Sequence, residues 1–362
     1  MSLAVGCLGP VIRLPEGTAY KIRLDDRSRT DVHRLQVGIG TDRQLSVKIA
    51  PWAGANAYSF QVNGIELLRQ PASLDELGGF RYGIPLLYPT PGAVREGTFA
   101  FEGREYRFPV GLHGHHTHGL VNQVVWEVGE LEVEEDGICL PLSLDVTRDH
   151  PLYERFPFEH SIRVKYRLSA EGLLIGVEIK NRDTRRLPFG FGILTNLRLL
   201  GERPESYISL PANRLLKRSP LNGLPTGELE DVIVGGPRDL RAPVSLGGLR
   251  LDSIYSGLLA GRPAGYEARD RGIRVSLEAS ELFSHAVVRS LPGEDFISLG
   301  YQTCADNAHN LYAAGHTDAA HLLILEPLGD PGSTFEGSVF IRVEVSPPAV
   351  PGNRQSLGDL GG

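Results

Sequence analysis

Three cysteines, one methionine and two tryptophans are all that this 362-residue chain holds of those residue types. The thiols, at Cys7, Cys139 and Cys304, are too few and too scattered for a disulfide framework or a Cys-x-x-Cys metal pair. Such usage suits a reducing cytoplasm, the compartment expected for the chain. Long apolar runs are missing as well. Segments such as Leu173–Val177 fall far short of the ~18 residues that span a bilayer, so no membrane partner is expected. Met1–Cys7 lacks both a basic stretch and a long apolar segment, and no secretory leader is expected. Positive charge is not in surplus: 37 basic against 44 acidic residues leave a net charge of −7. That balance argues against a nucleic-acid partner, which requires a basic patch. There is no Gly-x-Ser-x-Gly elbow, phosphate-binding loop, His-Glu-x-x-His pair or Gly-x-Gly-x-x-Gly after a strand. No fixed-period repeat marks a solenoid or propeller.

What is abundant is turn chemistry and alternation. Glycine (43) and proline (25) make up about a fifth of the chain, against the usual ~12%. Hydrophobic residues reach 41%, too many for a disordered chain. Leu45–Ile49 alternates, as does Tyr58–Val62, which ends at the turn dipeptide Asn63-Gly64. Ile138–Val146 reads as a strand, and His160–Leu168, a turn at Ser169–Gly172 and Leu174–Asn181 read as a hairpin over 160–181. Gly272–Glu278, Leu322–Glu326 and Val339–Val345 continue the pattern, and the helix candidates are short, for example Ser73–Leu77. Many strands, frequent turns and little 3.6-residue periodicity predict an all-β fold, a sandwich of large antiparallel sheets.

Histidine is the residue that most invites chemistry. Four of the eleven lie in Leu112–Leu120, at 113, 115, 116 and 118. Imidazole clusters suit zinc, copper or nickel, and His116 and His118 would share one face of a strand. No cysteine or carboxylate nearby completes a ligand set, however, and the glycines suggest a loop. The expectation is a solvated loop with one functional histidine, His113, His115 and His116 exposed, and no metal. Among carboxylates, Glu326 ends the apolar run Leu322–Leu325 just before Pro327. It reads either as a strand-end residue turned to solvent or as a base at the rim of a sheet. Asp252, in Leu251-Asp252-Ser253-Ile254-Tyr255, has the same two readings. Cys304 reads as a quiet thiol.

Taken in order, several segments resemble the aldose 1-epimerase (galactose mutarotase-like) family over about residues 40–345. They are Leu45–Leu68 with its Asn-Gly turn, Tyr82–Pro91, His118-Gly119-Leu120-Val121 with Trp126-Glu127-Val128, and Phe156-Pro157-Phe158 leading into the 160–181 hairpin. Pro188–Gly192, Leu251–Tyr255 and Leu325-Glu326-Pro327 complete the series. The resemblance implies one galactose mutarotase-like supersandwich domain over 1–346, with a divergent segment at 1–40 and a flexible tail at 347–362. It also implies an open sugar cleft and interconversion of sugar anomers by acid/base ring opening. That chemistry needs no cofactor or metal, and its partner is a small-molecule sugar. The expected assembly is a monomer or homodimer.

By the same resemblance Glu326 matches the family's base, His118 its first histidine and Asp252 the aspartate that binds sugar hydroxyls. Trp126, Phe156 and Arg81 are further expected substrate-binding residues. Two departures stand out. Leu194 occupies the position of the family's general-acid histidine, and Ala93 that of an arginine that contacts the sugar. Either another group supplies the proton, or the chain binds a sugar without turnover, or the substrate is a modified sugar in a rebuilt cleft.

Overall fold

The computed structural model describes residues 16–25, 30–111 and 113–347. Cys7 and all but the first residue of the expected tail lie outside the described residues. The alternation read from the sequence becomes antiparallel sheets. A meander opens the described chain, with Ala19–Asp25, Thr30–Val37, Leu45–Ala50, Asn56–Val62 and Ile65–Glu66 paired in sequence order. Its last turn is the Asn63-Gly64 pair, at φ 49° and 80°. Two successive positive φ values make the turn whose twist matches a two-residue hairpin.

A ten-stranded sheet forms one large layer. The His160–Ser169 and Gly172–Asn181 strands pair from His160 opposite Asn181 to Ser169 opposite Gly172. Leu173, Ile175 and Ile179 are fully buried there, as are Ile162, Val164 and Tyr166 across from them. The long final strand, Thr334–Val345, lies between Gly172–Asn181 and Ile273–Ala279. The other large layer has seven strands. Its order is Pro225–Asp231, Ala212–Arg218, Leu251–Leu258, His285–Ser290, Phe296–Gln302, Gly192–Arg198 and Leu86–Leu87.

One hydrophobic cluster joins the layers. It runs from Ile175, Tyr266, Leu277 and Ile341 of the ten-stranded sheet to Ile193, Ala286, Val288, Ile297 and Leu299 of the seven-stranded one. Burial of such side chains supplies the main driving force for folding. Tyr301 crosses the interface: its hydroxyl donates to the Leu277 carbonyl (3.1 Å) and accepts from the Ala264 amide (3.2 Å). Among the described residues the α-helices are Ala308–Ala313 and Thr317–Ala320, six and four residues long. Short helices are what a chain with period-two patterning allows. The helix pair covers part of the seven-stranded sheet, packing Ala308, Leu311 and Ala320 on Leu216 and Ile254. Among the described residues no helix is long and apolar enough to cross a membrane.

Candidate active site

The face of the seven-stranded sheet turned away from the core carries the cleft. Because side chains alternate along a strand, every second residue of Phe296–Gln302 points to this side. Cross-strand pairing then sets side chains in rows. The pairs Asp252–Arg289, Arg289–Ser298 and Ser298–Asn196 form one row. Arg218 extends it, with Nη1 3.5 Å from Asp252 Oδ1. The Ser298 hydroxyl donates to Asn196 Oδ1 at 2.7 Å. The neighbouring row is apolar: Ile254, Val287, Gly300 and Leu194. A third row holds His285 and Gln302 opposite Gly192.

Loops wall this face into a cavity of about 530 Å³. Phe80 and Arg81 close one side, and Pro91, Ala93, His113, His118 and Asp306 another. Asn196 anchors the first wall, its amide donating to the Phe80 carbonyl at 3.0 Å. His118 has φ 65°, a left-handed conformation that histidine tolerates better than most residues. Its backbone N–H donates to the Gly92 carbonyl (3.1 Å), and Nδ1 lies 2.9 Å from the Pro91 carbonyl. A carbonyl only accepts, so Nδ1 carries the proton and Nε2 is the basic nitrogen of the neutral ring. The Phe80 ring stands 4.6 Å away and braces the imidazole.

Asp306 is held against the same segment. A Cβ on residue 92 would lie 1.7 Å from Asp306 Oδ1; glycine there makes room for the carboxylate. Next to it, the Asn307 amide donates to the Ala93 carbonyl at 2.6 Å, while Gln302 Nε2 reaches Asp306 Oδ1 at 3.4 Å. An imidazole with one unengaged nitrogen and a carboxylate thus share one cleft with an apolar floor. That set can take a proton from one oxygen of a polar ligand and return one to another.

Comparison with known proteins agrees with this architecture. The aldose 1-epimerase family profile matches residues 36–328. The chain belongs to the aldose 1-epimerase family. A galactose mutarotase-like protein of Clostridium acetobutylicum superposes with a TM-score of 0.80 at 20% identity, covering 92% of this chain and all of that one. The galactose 1-epimerase of Lactobacillus acidophilus gives a TM-score of 0.71 at 16% identity, covering 91% of this chain and 98% of that one. At these identities the likeness is one of fold. In sequence, the uncharacterized protein YihR of Escherichia coli K12 is 28% identical over 134 residues, 36% of this chain and 41% of that protein.

Within this epimerase-family cleft, three of the six expected site residues meet: His118, Asp252 and Arg81. Glu326 does not join them. It ends the Leu323–Leu325 strand, which pairs with Leu187–Phe189 outside the seven-stranded sheet. Its carbonyl is clamped by the Asn181 amide at 2.8 Å and its amide donates to the Gly332 carbonyl at 3.2 Å. Its charge acts on Arg186, the partner of Glu102, away from the cleft lining. Trp126 and Phe156 are likewise not cleft walls. They are 2% and 1% exposed. Phe156 is packed among Phe158, Phe108 and Tyr88, while the Trp126 amide donates to the Pro51 carbonyl. The aromatic side chains lining the cleft include Phe80 and Phe296.

The histidine segment divides. His113 is exposed and His115 half-buried, but His116 is buried rather than solvated. The short strand His115–Thr117 pairs with Ala93–Arg95 and turns His116 inward. There Nδ1 meets the Pro109 carbonyl at 2.8 Å and the ring packs on Phe108 at 4.8 Å. Burial lowers its pKa. Cys304 is buried at the base of the helix pair, and burial pushes its pKa up.

Asp306 is the cleft carboxylate that sequence reasoning passed over. Its signal was its place: an acid four residues after the fully buried strand Phe296–Gln302, where the chain leaves the sheet. Gly92, which lacks the Cβ that would collide with the carboxylate, is its structural counterpart.

Proposed function

We propose that this protein interconverts the α and β anomers of an aldose in the cleft, with Asp306 and His118 as the acid–base pair. The observation that carries this reading is the bracing of both side chains on the Pro91–Ala93 segment beside an apolar floor. The Asp306 carboxylate takes the proton of the anomeric hydroxyl. As the C1–O1 bond becomes a carbonyl, the C1–ring-oxygen bond breaks and its electron pair goes to the ring oxygen. Protonated His118 delivers a proton there from Nε2. Rotation about C1–C2 and the reverse steps close the ring as the other anomer. A carboxylate that accepts one proton and an imidazolium that donates another are the two groups that this exchange needs. The Leu194 and Val287 side chains offer the C–H face of a pyranose an apolar bed.

A second reading, sugar binding without turnover, draws on Leu194 at the family's general-acid position. NMR exchange between anomers separates the two. Acceleration of exchange in an aldose, lost in Asp306→Asn, supports the epimerase reading. Saturable binding with no acceleration for any aldose that binds supports the second and overturns the first.

A further inference from the structure

We propose that the cleft selects aldoses that carry an anionic substituent, a carboxylate, phosphate or sulfonate, held by Arg81, Arg218 and Arg289. This rests on the reading that the cleft holds a sugar. The three guanidiniums line the same cavity. Two carboxylates stand among them. Asp252 lies 3.5 Å from Arg218, and Glu294 is shared, accepting from Arg81 Nη2 at 2.9 Å and Arg289 Nη1 at 2.6 Å.

Two acids cannot match three arginines in charge, and they match them less in hydrogen bonds. Each guanidinium has five N–H donors in a fixed fork. Arg218 Nε is buried with no partner. The Phe296 ring lies near the Arg81 and Arg289 guanidiniums, whose Cζ atoms stand 5.5 and 5.9 Å from its centroid. This surplus of oriented donors calls for an acceptor-rich, negatively charged group, which forked guanidiniums bind better than a neutral hydroxyl.

The arginines also sit apart from the proposed acid–base pair. Arg289 is level with Ser298, while Asp306 contacts Gln302, four residues along the same strand. At ~3.4 Å per residue the two ends are roughly 14 Å apart along the strand. Long arginine side chains shorten that span, so an anion at the ring's far end and the anomeric carbon at the other are both served. The apolar row of Val287, Gly300 and Leu194 lies between.

Calorimetric titration with D-glucuronate, glucose 6-phosphate and D-glucose tests this independently of turnover, with inorganic phosphate as the ion-only probe. The expected result is binding of one or both anionic sugars at least about 10-fold tighter than glucose, weakening as salt rises. Arg218→Gln and Arg289→Gln should each weaken the anionic sugar by about 10-fold or more beyond any change in glucose binding. Arg218→Lys, which keeps the charge, should recover part of the loss, and circular dichroism confirms that each variant folds. Equal affinity for charged and neutral sugars overturns the inference, as does binding unaffected by either substitution. Phosphate binding as tightly as glucose 6-phosphate also overturns it, since the site would then hold a free ion. Accelerated glucose exchange with no charge preference would defeat this inference and leave the epimerase reading standing. Anionic sugar binding without exchange would do the reverse.

Discussion

His118 and Asp306 are both held by the Pro91–Ala93 segment: the imidazole bonds to the Pro91 carbonyl at 2.9 Å, and the carboxylate fills the space that a Gly92 side chain would take. The segment therefore sets the distance between the two groups. Gly92→Ala tests that relationship. Its Cβ would stand 1.7 Å from Asp306 Oδ1, so the carboxylate must leave. A misplaced base should cost about 10²–10⁴-fold in anomer exchange. Wild-type exchange rates in Gly92→Ala would mean that Asp306 has no part in the reaction.

The second prediction sets two carboxylates against each other. Asp306→Asn keeps the shape and removes the base, so exchange should fall at least ~10². Glu326→Gln changes a side chain beside Arg186 and Glu102, outside the cleft lining, and exchange should stay within about twofold. The clamp from Asn181 reaches only the Glu326 backbone carbonyl, so stability should hold as well. A large loss in Glu326→Gln with Asp306→Asn unaffected would return the base to position 326.

The fold was legible because alternation and turn dipeptides are local. The 160–181 hairpin and the Asn63-Gly64 turn occupy the expected residues. The 138–146 strand starts one residue early, at Gly137. The site was legible only in part. His118 and Asp252 reach one cleft through sheet pairing that no local pattern encodes. Trp126 and Phe156 look alike in a sequence whether they line a groove or fill a core; burial of large aromatics is the commoner outcome. Glu326 and Asp306 both follow apolar strands, but Leu323–Leu325 pairs outside the seven-stranded sheet and Phe296–Gln302 lies near its centre. That difference is one of topology. His116 went inward because a three-residue strand pairing overrode the glycine-rich composition around it.

Gly300 gives a third prediction, on the floor. A Cβ there would meet the Ile193 carbonyl at 2.7 Å and the Leu194 Cα at 2.9 Å. Both are backbone atoms of the adjoining strand, which cannot yield without disturbing the pairing of Leu194 with Gly300. Gly300→Ala should therefore destabilise by about 1–3 kcal/mol, as overpacking does. It should also weaken any ligand that rests on the apolar row. An unchanged denaturant midpoint would show that the two strands separate more easily than their geometry indicates.

The last prediction concerns acid. His160, His285 and His309 are 2%, 0% and 2% exposed, and burial lowers their pKa values to about 4, about 3 and about 4. At His285 the nearby His321 adds to the lowering, whereas a hydrogen bond to the Pro188 carbonyl opposes it at His309. In the unfolded chain each returns to about 6.5. Above that pH both states bind no proton and the histidines leave stability untouched. As pH falls below it, the unfolded state takes up protons that the folded state refuses, so stability drops until the folded pKa is reached. Each group contributes up to about 1.4 kcal/mol per pH unit, so three together approach roughly 4 kcal/mol per unit between about pH 6 and 4. Against a typical ~5–15 kcal/mol, that slope is enough to bring acid unfolding near pH 4 to 5. Melting temperature should be level from pH 8 to 7 and fall steeply between pH 6.5 and 5, before ordinary carboxylates begin to titrate. His309→Leu, which packs a non-titrating side chain on Phe99 where the imidazole now stands 4.1 Å away, should remove about a third of the slope. A melting temperature constant from pH 7 to 5 would show that the buried imidazoles accept protons without unfolding.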